Sequence, residues 1–228
     1  MFRKFYSLFM LLNINCFVLN MKIPIKYSSY KNIRPIFFDI YKHEYKINSL
    51  NEYNNYSIEH IIPRSLYKNN TYLKNDMHNI ILYPNKINLH RSNYKYVSDF
   101  KIYAGSQLLD EYGNKIFYEN PLIEDKIMIK TNKNKTFYPS KQYRGPIARS
   151  AMYFITTYPE YQNDILTKVI NPYTILTWHY QNPVSYIEMI KNNIIKEHQG
   201  NDNLFILDKK LLVYEMEKIL GKSLSNFY

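Results

Sequence analysis

Glu59 and His60 stand side by side in "IEHIIPR", a carboxylate and an imidazole at the head of an apolar run that Pro63 closes. A strand edge facing solvent would account for both. Chemistry would need further groups, and "DMHNIILYPNKINLHRSN" supplies candidates in His78, Asn79, Asn88 and Arg91. A Glu carboxylate and an Asn amide carbonyl are both hard oxygen donors. Two such donors, completed by water and a substrate phosphate, suit magnesium, which keeps several waters and seldom has an all-protein cage. A neutral imidazole beside such an ion can take a proton from water.

The elements that must position these groups can be read in outline. "YSIEHIIP" predicts a short strand, on which adjacent side chains point to opposite faces, so Glu59 and His60 would serve different neighbours. "NDMHNIILYPNKINLHRSNYKY" predicts a turn, a short strand and then a helix, with Lys86, Ile87, Asn88 and Arg91 at helical spacing. Strand, loop, strand, helix, with a base on the first strand and a ligand on the helix, is the ββα-metal arrangement. Around it, residues 27–50 predict a helix ending near Asn48, and residues 99–138, with Gly105 and Gly113, predict loops and short strands. "YRGPIARSAMYFITTYP" predicts a helix with Pro146 in its first turn, an apolar stripe of Ile147, Ser150, Ala151, Phe154 and Ile155, and a stop at Pro159. Two helices broken at Asn182-Pro183, the second ending at Gly200, and a last helix in "DKKLLVYEMEKILG" follow. Trp178 is expected in the core, Lys191 and Lys196 in solvent, and residues 199–203 as a structural cap.

A chain of 228 residues is long enough to bury one substantial core. The expected organisation is a single α+β domain over residues 25–228, preceded by a hydrophobic segment, 1–24. That segment, "MFRKFYSLFMLLNINCFVLNM", places Arg3 and Lys4 before an apolar stretch, the pattern of a signal or anchor. Asn13 and Asn15 interrupt it, and it is short for a membrane span; a helix packed on the domain is the alternative. Lys and Arg number 30 against 19 Asp and Glu, a formal charge of +11, and 25 tyrosines accompany them. Such a surface suits a polyanion, most often nucleic acid. The single cysteine, Cys16, excludes an intramolecular disulfide and a cysteine-based zinc site. The lack of cystines favours an intracellular or virion setting, and residues 1–20 leave secretory targeting open.

Three ordered blocks, spread over roughly residues 55 to 207, resemble the bacterial endonuclease I family of His-Me finger nucleases. "IEHIIPRSL" is similar to the family's Glu-His segment, and "DMHNIILYPNKINLHRSN" lies over its Asp-Leu-His-Asn to Arg-Ser-Asn run without gaps. "RGPIARSAMYF", "WHYQNPVSYIE" and "IKEHQGNDNLFI" are similar to its C-terminal half. The resemblance implies an α+β fold with a ββα-metal (His-Me finger) core wrapped by several helices. It implies His60 as general base, Glu59 and Asn88 as ligands of Mg²⁺ or Mn²⁺, and His78 and Asn79 as structural support of the site. The implied substrate is DNA, with RNA as a further one, cut to leave 5′-phosphate ends with little sequence preference, because contacts go to the backbone. Arg91 is placed to touch phosphate or to brace the finger, with bracing favoured. Arg144 and Arg149, at a helix start, and Arg64 are further candidates for nucleic-acid binding. No protein partner is implied, and a membrane only if the N-terminal segment is an anchor.

The chain also departs from the family. Lys74 stands where some members carry an acidic residue, and the stretch between His60 and Asp76 lacks an insertion that supplies a phosphate-stabilising arginine in some relatives, for which Arg64 is the candidate stand-in. These departures keep a second expectation in play, a catalytically degenerate nucleic-acid-binding module. The retained Glu59, His60 and Asn88 favour the enzyme.

Overall fold

A computed structural model describes residues 30–225 apart from 43–44, 69, 71 and 118–123. The hydrophobic N-terminal segment, and with it the question of targeting, lies outside the described residues. Among those described, no helix is long and apolar enough to cross a membrane.

Helix α1 (Tyr30–Tyr41) buries Ile33, Phe37, Ile40 and Tyr41, the i, i+4, i+7, i+8 pattern of a helix laid on a core. It ends well before Asn48, and a separate helical turn at Leu50–Tyr53 replaces the single long helix expected. Strands β1 (Tyr56–His60) and β2 (Ile80–Pro84) then pair antiparallel, with Tyr56 opposite Pro84 and His60 opposite Ile80. All five residues of β2 are buried because its two faces meet different cores. Ile80 and Leu82 join Ile33, Phe37 and Ile195, while Ile81 and Tyr83 enter the larger cluster. That two-sided burial explains the unbroken apolar run in the sequence. Helix α2 (Asn85–Arg91) follows β2 directly and completes the ββα unit, with Ile87 and Arg91 buried.

Residues 95–138 gather short strands, expected over 99–138, into one sheet. Strands β3 (Lys95–Tyr96), β4 (Ser106–Leu109), β5 (Lys115–Ile116), β6 (Met128–Thr131) and β7 (Thr136–Tyr138) make a sheet in the order β3-β7-β6-β4-β5. Only β3 runs parallel to its neighbour. The tip between β4 and β5 presses on the finger helix. At Gly113, φ is +84°, and a Cβ there would lie 2.8 Å from the Ile87 backbone nitrogen, so only glycine fits.

Helix α3 (Lys141–Thr157) is buried on every side from Tyr143 to Ile155, except at Pro146. It starts at Lys141, so Pro146 falls in its second turn rather than its first. The ring there removes a single bond, the one to the Gln142 carbonyl, which is tolerable this close to the helix start. The two helices broken at Asn182-Pro183 and the last helix are present as expected. α4 (Pro172–Gln181) is capped by Asn171 with Pro172 at its first position, and it buries Trp178. α5 (Tyr186–Gln199) is capped by Ser185 and ends at Gly200, whose φ is +89°. A short α6 (Leu204–Leu207) leads to α7 (Lys209–Leu220), which runs from an Asp208 cap to Gly221.

Candidate active site

Ser57 and Glu59 leave β1 by the face that meets α2, and Asn88 and Arg91 reach them from the helix. Asn88 Nδ2 donates to Ser57 Oγ at 2.9 Å and to the Ile58 carbonyl at 3.4 Å. The amide nitrogen is thus spent on β1, and Oδ1 is the Asn88 atom that can ligate a cation. Glu59 is 6% exposed, and its Oε1 accepts from Arg91 Nη1 at 2.7 Å. Burial pushes its carboxyl up to about 7, with the charge and hydrogen bond of Arg91 offsetting only part of the desolvation.

His60, next along β1, turns the other way. Its Nε2 lies 2.9 Å from the Lys74 carbonyl. A carbonyl only accepts, so Nε2 carries the hydrogen and Nδ1 is the basic nitrogen. Burial lowers the imidazole to about 4, the Lys74 carbonyl working against that and the Arg64 and Arg91 charges adding to it. At neutral pH the ring is an uncharged base of fixed tautomer. The contact uses the main chain of Lys74, so a basic side chain at that position leaves it intact. A backbone acceptor has no residue-type signature, and sequence reasoning weighed only the lost acid.

The turn that carries Lys74 is fastened from beneath. Asp76, fully buried, accepts from the His78 backbone N–H at 3.0 Å and Gln199 Nε2 at 2.9 Å on Oδ1, and from the Tyr153 and Tyr158 hydroxyls at 3.1 and 2.6 Å on Oδ2. Gln199 Oε1 accepts from the Met77 N–H at 2.8 Å, and His78 Nε2 donates to the Asn201 carbonyl at 3.0 Å. Residues 199–203 are therefore the dock for the turn before β2. Asn79 bridges both polar groups of Ile62, accepting its N–H at 2.8 Å and donating to its carbonyl at 3.2 Å, which sets the path of the chain leaving His60. Gln199 was read from sequence only as part of a structural cap, and Asp76 was given no role; the Asp-x-His spacing, with Asp76 capping the turn at Met77–Asn79, was the available signal.

The family model described as endonuclease I matches residues 20–209. The chain belongs to the endonuclease I family. It is accordingly a nuclease, acting on nucleic acid, and its α+β fold with a ββα unit is in keeping with that family. No curated protein matches the chain.

For this endonuclease I family member, the arginines expected to bind nucleic acid divide by burial. Arg91 is 1% exposed and donates to Glu59, to the carbonyls of His60, Ile61 and Ser92 at 3.2, 2.7 and 2.9 Å, and stacks on Tyr96 at 4.5 Å. It braces the finger and has no surface to offer phosphate. Arg149 is likewise 1% exposed, paired through two bonds of 2.6 Å with Glu188. Arg144 is buried over the Tyr138 ring at 4.3 Å, with Nε donating to the Pro139 carbonyl at 3.0 Å. The expectation of phosphate contacts at Arg144 and Arg149 is thus corrected, as is that alternative for Arg91, whose contacts are those of the favoured bracing: each is desolvated inside the fold. Arg64 alone of the four is exposed. Lys191, expected in solvent, is buried, donating to the Ile80 carbonyl over the Phe37 ring, while Lys196 is exposed and pairs with Asp202 at 2.8 Å.

The donor set suits a hard divalent cation. Among the described residues no three His, Cys, Asp or Glu side chains gather in one place. Glu59 and Asn88 lie on the contact between β1 and α2, Asn88 bonded to Ser57 and Glu59 to Arg91, and both carry oxygen donors of the kind that leave most positions to water and phosphate.

Proposed function

We propose that this nuclease hydrolyses phosphodiester bonds in DNA, and in RNA, with Mg²⁺ or Mn²⁺ held by Glu59 and Asn88, leaving 5′-phosphate ends with little sequence preference. The observation that carries the reading is the His60–Lys74 bond, which fixes a neutral imidazole with Nδ1 as its basic atom one residue along β1 from Glu59, whose strand face Asn88 also reaches. His60 takes the proton of a water molecule as its oxygen adds to phosphorus in line with the departing 3′ oxygen. The bound cation would supply electrostatic stabilisation of the charge that builds on the phosphate and on that leaving oxygen. Arg91 keeps the Glu59 carboxylate aimed, and the exposed Arg64 is the candidate to steady the phosphate.

Plasmid nicking tests this directly, with and without excess chelator, on wild type and His60→Ala. Turnover should drop by roughly 10²–10⁴-fold in the variant, the range for a lost general base, with DNA affinity retained. Undiminished cutting in chelator would remove the metal from the mechanism. Wild-type protein that binds DNA in the presence of Mg²⁺ and never cuts it would support a degenerate binding module instead.

A further inference from the structure

The loop between β1 and β2 carries a feature that the mechanism leaves unused. Tyr67, Tyr72 and Tyr161, with Ser65, Lys68 and Asn70, line an open groove of about 570 Å³. Tyr67, nearly buried, forms the floor and meets the ring of Tyr161 edge-on at 6.4 Å between centroids. Tyr72 stands at the rim, 66% exposed. Its place is set by the backbone: Asn70 Oδ1 accepts the N–H of Tyr72 at 3.1 Å and of Leu73 at 3.4 Å. Among the described residues no acidic side chain lines the groove. Lys68 and Arg64 are exposed on the same loop, and the charge of Arg64 is felt at both Tyr67 and His60.

The groove and the base are built by one turn. Tyr72 immediately precedes the helical turn Leu73–Asn75, and the Lys74 carbonyl within that turn holds His60. Aromatic rings, neutral hydrogen-bonding groups and cations, with no carboxylate, match the needs of a nucleotide whose base has left its stack. A duplex keeps its bases inside and shows such a groove mainly phosphate. The volume is that of a small-molecule site.

We propose that this groove seats an unstacked base of a single-stranded polynucleotide, with Tyr72 as the stacking platform, next to the phosphate that His60 serves. The proposal rests on the nuclease reading for that neighbouring phosphate, but base binding can be measured without cleavage. Binding of a fluorescein-labelled oligothymidylate, an abasic strand of the same length and a duplex is measured by anisotropy in chelator. Wild type should prefer oligothymidylate over the abasic strand by roughly tenfold, the size of one base stack. Tyr72→Ala should erase that preference, Tyr72→Phe should keep it, and duplex affinity should stay the same in both. The groove assignment is overturned if Tyr72→Ala binds oligothymidylate as tightly as wild type, or weakens all three probes equally. Cleavage of the same probes in Mg²⁺ separates the two readings. Cutting without a base preference removes the groove alone, and a base preference without any cutting removes the nuclease mechanism alone.

Discussion

Glu59 and His60 are neighbours in sequence whose titrations burial drives apart, the acid up to about 7 and the imidazole down to about 4. A metal ligand must be ionised and a general base must be neutral. Above about 7 both conditions hold; between about 7 and 4 His60 is still neutral while Glu59 takes up a proton. The acid limb of cleavage should therefore belong to Glu59. A cation and a proton compete for that carboxylate, so added metal favours the ionised form. At subsaturating Mg²⁺, kcat/KM should fall about tenfold per pH unit below roughly pH 7, and saturating Mg²⁺ should move the limb to lower pH. A limb that ignores the Mg²⁺ concentration would take Glu59 out of the ligand set.

At the level of elements, the contact of α3 with the end of α4 decides between two opposed effects at Gly145. Alanine is the better helix former by about 1 kcal/mol, so propensity alone favours Gly145→Ala. A Cβ at that position would meet Arg149 Nη2 at 2.5 Å and the Asn182 carbonyl oxygen at 2.8 Å. Neither can retreat cheaply. Arg149 is held by both Glu188 oxygens, and the Asn182 carbonyl accepts from Arg149 Nη1 at 2.9 Å. Overpacking should win, with a net loss of about 1–3 kcal/mol. Thermal unfolding checks it: Tm should drop in Gly145→Ala, and a raised Tm would mean that the two helices have room to part.

Over the whole molecule, buried histidines set the response to acid. His60, His78 and His179 are each lowered by burial from 6.5 to about 4. The unfolded chain binds their protons near 6.5 and the folded chain only near 4, so their contribution to stability is lost as pH falls through that window. Glu59 acts in the opposite sense between about 7 and 4.5, because the folded chain binds its proton first. Three histidines against one glutamate leave a net uptake of protons on unfolding between about pH 6.5 and 4.5, so stability falls as pH falls through that window. Urea unfolding at pH 7 and pH 5 should show a clearly lower midpoint at the acid value with an unchanged m-value. A midpoint that holds steady would mean that most of these histidines titrate normally in the fold.

The sequence by itself determined what is local. Strand β2 and helix α2 are contiguous within Ile80–Arg91, and their pattern was readable there. Helix ends were legible at Gly200 and Gly221, because a cap acts within one turn of the backbone it satisfies. The five-stranded sheet was not, since strands of two to four residues are too short to show alternation. Only the tertiary structure decided which cations meet solvent. Arg64 and Arg149 are the same residue type in a basic chain, yet Arg149 finds Glu188 far along the sequence and Arg91 finds Glu59. Burial of a charge depends on a partner brought close by the fold, and the price of lacking one forbids the alternative. The Lys74 carbonyl belongs with these. Every residue carries such an acceptor, and only the folded turn aims this one at His60.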